Sequence, residues 1–169
     1  FLIIENYLQL RQMLTDKGYQ FISETDTEVL AHLLDYYYKG NPMEAITKVL
    51  HRVEGSYALG ILFADWPDQI FAARKDSPLI VGQNEDGCFI ASDVPAILKY
   101  TRKVYYVDNQ EVVRLRADHM HFYTVDEEET TKEPVTIEWD ANAAEKGGYE
   151  HFMLKEMYEQ PKTVTDTLL

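Results

Sequence analysis

Three carboxylates, Glu24, Asp26 and Glu28, recur at every second residue in the phrase Ser23-Glu24-Thr25-Asp26-Thr27-Glu28-Val29. Thr25 with Glu28 three residues on matches a capping box, and acids at a helix start are favoured by its dipole, so spacing alone reads the cluster as electrostatic capping. His119 and His121 lie two apart on an expected strand and so share a face, where a pair could begin a metal site. No third ligand stands near them, and they read as cross-strand surface histidines. Cys88, the single cysteine, follows a turn in an apolar strand with no base beside it, and reads as a small core residue rather than a nucleophile. Ser77-Pro78 and Ser92-Asp93 are turn and cap chemistry. The G-x-S-x-G elbow, G-x-G-x-x-G, P-loop, H-E-x-x-H and paired C-x-x-C patterns are all absent from the sequence. No metal site and no cofactor are expected.

The elements that would position these residues follow from periodicity. Ile3-Ile4 reads as the tail of a strand, and Asn6 as the cap of a helix over residues 7–16 that Gly18 stops. Residues 19–22 suggest a short strand. Val29, Leu30, Leu33, Leu34 and Tyr37 fall at helical spacing, and Gly40-Asn41-Pro42 separates that helix from another over residues 43–52. Residues 56–64 are nearly all apolar, as in a strand buried on both faces. Strands at 69–74, 79–82 and 88–91 follow at hairpin spacing, then a short helix at 94–100 capped by Asp93. Strands at 103–107, 111–116, 119–125 and 135–138 complete the run, and a helix over 149–159 ends at Pro161. Helices followed by a long antiparallel run predict an α+β fold. Residues 1–140 read as one domain body and residues 141–169 as an exit segment. Both ends look internal to a longer polypeptide.

Composition narrows the function classes. The 169 residues are 46% hydrophobic and 27% charged, with a formal net charge of −13, so phosphate backbones and anionic lipid are not expected partners. The acid run Asp126-Glu127-Glu128-Glu129 reads as a solvated hairpin tip. No apolar run approaches the roughly 20 residues that span a bilayer. One cysteine and no signal-peptide pattern fit a cytoplasmic location.

The Ser23–Val29 phrase resembles the signature of class II glutamine amidotransferases. Glu54-Gly55-Ser56-Tyr57-Ala58, Ala73-Arg74-Lys75-Asp76-Ser77-Pro78-Leu79 and Ile90-Ala91-Ser92-Asp93 are similar to later phrases of that family, in the same order. The first phrase and the Ser-Pro-Leu turn are shared loosely with amidophosphoribosyltransferase. Lys146-Gly147-Gly148-Tyr149-Glu150-His151-Phe152-Met153-Leu154-Lys155-Glu156-Met157-Tyr158-Glu159-Gln160-Pro161 resembles the link between the glutaminase and sugar-isomerase domains in the glutamine–fructose-6-phosphate aminotransferase family.

The resemblance implies a portion of a four-layer αββα N-terminal-nucleophile sandwich with antiparallel sheets. It implies an enzyme that hydrolyses glutamine and passes ammonia to fructose 6-phosphate, giving glucosamine 6-phosphate. The family's nucleophile is a cysteine at the mature N-terminus whose α-amine is the base. Its oxyanion hole is an Asn-Gly pair just before the Ile3-Ile4-Glu5-Asn6 phrase. Phe1-Leu2 stand where that pair would be, so no catalytic residue is assigned within the chain, and the chain alone is expected to be inactive, with open edges that favour self-association. Asp26 matches the aspartate that pairs with the α-ammonium of bound glutamine, while Glu24 and Glu28 read as cap and scaffold. Glutamine, a sugar-isomerase domain of the same polypeptide and further copies of the chain are the implied partners. The alternatives are a glutamine-binding module without catalysis and an amidophosphoribosyltransferase-like amidotransferase.

Overall fold

The computed structural model describes residues 3–138 and 147–168, which fall into two units, Phe1–Thr136 and Ile137–Leu169. The first unit opens with a short strand β1 (Ile3–Ile4) and three helices, α1 (Tyr7–Asp16), α2 (Glu28–Tyr37) and α3 (Pro42–Leu50). Each helix buries the stripe its sequence spells. Leu10 and Leu14 do so on α1, Val29, Leu30 and Leu33 on α2, and Ala45, Ile46, Val49 and Leu50 on α3. Proline at the first position of α3 and the Asn41 carboxamide, which accepts from the Met43 and Glu44 amides, fix where that helix starts. Asn6 does not cap α1. Its side chain reaches across to donate to the Arg52 carbonyl at 2.8 Å and accept from the Glu54 amide at 3.1 Å, tying the head of α1 to the segment before the next strand.

The strands that follow are β2 (Gly55–Ile61), β3 (Ile70–Lys75), β4 (Ile80–Asn84), β5 (Gly87–Ala91), β6 (Lys103–Tyr106), β7 (Glu111–Leu115), β8 (Met120–Thr124), β9 (Glu129–Thr130) and β10 (Val135–Thr136), with a short helix α4 (Val94–Ile97) between β5 and β6. They form two antiparallel sheets, ordered β1-β2-β3-β7-β8-β9 and β10-β6-β4-β5. Successive strands 69–74 and 79–82 are therefore not a hairpin. The chain changes sheets between β3 and β4, because β3 spends both its edges on β2 and β7.

Alternation along the strands sorts the side chains into layers. Phe71, Ala73, Val112 and Tyr57 face the helices and join their core. Ala72, Val113, Leu115 and Phe122 point the other way and pack with Leu79, Val81 and Val107 between the sheets, where Cys88 and Ile90 also pack. The outer face of the second sheet meets α4, and Gly82 is the point of closest approach. A Cβ there would lie 2.6 Å from Thr101 Cγ2 and 2.8 Å from Ile97 Cδ1. Helices, sheet, sheet and helix are thus stacked in four layers, an α+β architecture.

Three further expectations fail for identifiable reasons. Residues 19–22 are not a strand: the rings of Tyr19 and Phe21 pack on His32, and the Ile22 amide goes to a carboxylate instead of a neighbouring strand. The strand expected over 56–64 ends at Ile61 and is not buried on both faces, since Leu62 is 72% exposed and Gly60 is open to solvent. In the second unit, α5 (Phe152–Leu168) runs through Pro161 instead of stopping before it. Proline forfeits one backbone bond, but the hydroxyls of Thr163, Thr165 and Thr167 each donate to a carbonyl four residues earlier along the same stretch. No helix among the described residues is long and apolar enough to cross a membrane.

Candidate functional site

The three carboxylates of residues 24–28 have different fates. Glu28, in the first turn of α2, curls back and takes the Ile22 amide at 2.8 Å on one oxygen. Its other oxygen takes the Ser23 amide at 2.8 Å and the Ser23 hydroxyl at 2.5 Å. His32, one turn on, lies 3.4 Å away. The reach-back of a capping box is present, but the partner is Ser23 rather than Thr25, whose hydroxyl instead sits 2.8 Å from that of Ser23. These donors, led by the Ser23 hydroxyl, hold the Glu28 carboxyl down from 4.5 to about 2. Glu24 is exposed.

A depressed carboxylate stabilises the fold above its unfolded pKa, and that contribution drains away as pH falls from about 4.5 toward 2. Glu28→Gln is therefore expected to be less stable than the parent at pH 7, with the gap in Tm narrowing across that acid window. Thermal melts at several pH values check this; a gap that stays constant with pH contradicts it.

Asp26 lies immediately before α2 and is partly buried. Its Oδ2 accepts the Ile4 amide of β1 at 2.8 Å, so the loop and the strand are locked together. Among the described residues its Oδ1 has only the Thr27 hydroxyl, at 3.5 Å. One oxygen is thus anchored and the other holds lone pairs to offer. The start of α2 beside it would hold an anion readily, and a carboxylate so placed can meet a cation from solvent. Ile4 itself is buried to 1% exposure in the helix-side core, which makes its amide a fixed point.

Beside Asp26, between α2 and β2, runs a mostly apolar groove of about 390 Å³ lined by Thr27, Leu30, Leu34, Leu59 and Ile61 among others. β1 pairs with β2 only at Gly55 and Ser56, so the rest of that edge of β2 has no strand partner among the described residues.

The remaining sequence candidates stay apart from this site. His119 and His121 do share a face, with ring centroids 5.1 Å apart, but each ring nitrogen Nδ1 is 2.6 Å from a carboxylate, of Asp118 and Glu129 respectively. No group of three or more metal-ligating side chains occurs among the described residues. Cys88 packs against the inter-sheet core, and burial, with Asp118 second, raises its thiol above the ordinary range, away from nucleophilic chemistry. Sequence reasoning missed the Ile4 amide as the partner of Asp26; a contact between residues 22 apart leaves no trace in local pattern.

The family described as "Glutamine amidotransferase domain" matches residues 3–99. A glutamine–fructose-6-phosphate aminotransferase of Clostridium acetobutylicum is 61% identical over 98% of this chain, and one of Caldanaerobacter subterraneus is 57% identical over the same share. The chain spans 27% of the length of each. Among solved structures, a glutamine phosphoribosylpyrophosphate amidotransferase from B. subtilis superimposes with a TM-score of 0.63 at 26% identity, over 72% of this chain and 27% of that one. The helices and the two antiparallel sheets match an amidotransferase fold, and the chain belongs to the glutamine amidotransferase domain family.

Proposed function

We propose that this chain is part of the glutaminase domain of a glutamine–fructose-6-phosphate aminotransferase, and that Asp26 binds the α-ammonium group of glutamine. The observation that carries the reading is the Asp26 carboxylate, held through one oxygen by the Ile4 amide, while the other has among the described residues only the Thr27 hydroxyl at 3.5 Å. A fixed carboxylate of this kind selects an ammonium by a charge-assisted bond. The 61% identity over 98% of the chain favours the aminotransferase over an amidophosphoribosyltransferase, whose solved relative is 26% identical over 72%.

The chemistry assigned to this chain is binding and orientation. The cysteine nucleophile that attacks the glutamine carboxamide belongs to the family's N-terminus. The family's Asn-Gly oxyanion donors belong just ahead of Ile3, at the positions Phe1 and Leu2 take here, three and two residues before the amide that Asp26 grips. In that arrangement Asp26 fixes the amino-acid end of glutamine while the carboxamide meets the nucleophile, and the released ammonia passes to a sugar-isomerase domain of the same polypeptide. The unpaired edge of β2 and the groove beside it fit the seat of further glutaminase strands. We assign the polypeptide to the cytoplasm and to a homo-oligomer on the same resemblance. Residues 1–140 form the domain body in this reading and residues 141–169 the exit toward the isomerase.

The direct test incubates the full-length polypeptide with glutamine and either fructose 6-phosphate or phosphoribosyl pyrophosphate. Glucosamine 6-phosphate from the first pair is the expected product. Phosphoribosylamine from the second, or glutamine binding without any hydrolysis, sinks the proposal.

A further inference from the structure

His119 stands just before β8 and His121 within it, two positions apart on one face. The β7–β8 hairpin holds their backbone in place. The Arg116 amide donates to the His119 carbonyl at 2.9 Å, and His121 pairs directly with Arg114. Gln83 donates to the Asp118 carbonyl at 2.6 Å, which ties the turn to the second sheet. Both histidines line a cavity of about 290 Å³, together with Glu129.

The two rings share more than a face. Each has its Nδ1 at 2.6 Å from a carboxylate, that of Asp118 for His119 and that of Glu129 for His121. A neutral imidazole that gives its Nδ1 proton to a carboxylate keeps a lone pair on Nε2. A carboxylate in that place is also what fixes the tautomer and orientation of metal-ligating histidines. One such contact is ordinary on a protein surface; here two occur on neighbouring rings. The spacing fits a shared ion as well. An ion roughly 2.0 Å from two imidazole nitrogens, at a tetrahedral angle, puts the ring centroids about 5 Å apart. They are 5.1 Å apart. Side-chain exposures of 39% and 36% let an ion reach both rings without opening the fold.

The nearby cations are directed elsewhere. The Arg114 guanidinium lies over the Tyr123 ring, and Arg116 Nε is 3.9 Å from Asp68. Lys132 lines the same cavity, but its Nζ is held by Asp108 at 2.7 Å and Glu111 at 2.6 Å. The charges in direct contact with the rings are therefore the carboxylates of Asp118 and Glu129, whose sign suits a cation.

We propose that His119 and His121 chelate one divalent transition-metal ion of the zinc and copper class through Nε2, with the remaining coordination positions left to solvent. Imidazole nitrogens suit these ions, whereas magnesium and calcium demand a set of oxygen ligands. The site shares no residue with the Asp26 loop and does not depend on the glutaminase reading.

Zinc is the probe, titrated calorimetrically into the untagged full-length polypeptide, with magnesium in parallel. The parent is expected to take up one more equivalent of zinc than the double variant His119→Asn/His121→Asn. Each single variant should bind that equivalent at least about tenfold more weakly, and so should Glu129→Gln, which keeps both ligands but loses the charge behind one of them. Zinc should raise the Tm of the parent and not that of the double variant. Both histidines are exposed, so without zinc the variants should melt with the parent, and a loss of binding is then not a loss of fold. Equal zinc uptake by parent and double variant, a loss confined to one of the two histidines, or equal uptake of magnesium overturns the proposal and leaves two separate histidine–carboxylate contacts.

Discussion

Gly55→Ala is expected to destabilise the protein by about 3 kcal/mol or more, and to disorder the Asp26 loop with it. Gly55 sits at φ +118°, where L side chains rarely go, and a Cβ built there would lie 2.1 Å from the Ile3 carbonyl oxygen and 3.1 Å from the Glu5 nitrogen. Both obstacles are backbone, so no rotamer relieves them, and β1 must leave β2. With β1 goes Ile4, whose side chain is in the helix-side core and whose amide is the anchor of Asp26. Denaturant unfolding measures the first effect and amide exchange at Ile4 the second. Gly60→Ala is the control on the same strand, with ordinary φ and nothing within 4 Å of its Cβ, and should be close to neutral. A Gly55→Ala protein with the parental midpoint would remove the clash from consideration.

Asp26→Asn in the full-length polypeptide is expected to raise KM for glutamine roughly 10- to 100-fold, as for losing one charge-assisted bond, with a smaller fall in kcat. Asparagine can keep an oxygen toward the Ile4 amide, so the β1 anchor and the melting temperature should survive. What it lacks is the negative charge that the proposed pairing with the substrate ammonium requires. Supplying ammonia directly at high concentration should bypass the defect, because the acceptor chemistry does not use Asp26. An unchanged KM for glutamine would mean that the carboxylate is only a loop fastener.

Much of the scaffold could be read from local pattern, because helices α1 to α3 each bury one periodic face and strands β6 to β8 are short runs set off by turn residues. What escaped was set by partners distant in sequence. Residues 19–22 had the composition of a strand, but Glu28 and His32 took their donors and rings before another strand could. The change of sheet after β3 is invisible in a run of evenly spaced strands. Asp26 stood out only through its phrase; the spacing of Glu24, Asp26 and Glu28 does not separate their roles, whereas the structure gives Glu28 the reach-back to Ser23 and Asp26 the Ile4 amide.

The four-stranded sheet is largely an excursion from β3 that returns at β7, and its neck is fastened. Arg74 donates to the Val107 carbonyl and to Asn109. Asn109 in turn accepts the Asp76 amide at 2.9 Å and donates to the Asp76 carboxylate at 2.8 Å, across 33 positions of sequence. Closing a loop of that length costs roughly 3 kcal/mol of chain entropy from its length-dependent part, and each doubling adds only about 0.6 kcal/mol. The β3–β7 ladder and the neck bonds meet that cost together and once. Residues can therefore be added or deleted at the exposed Glu85-Asp86 turn, at the far end of the excursion, for little further entropy. The fastened neck keeps such changes in length from reaching β3, so the outer sheet can vary in length while the six-stranded sheet stays fixed.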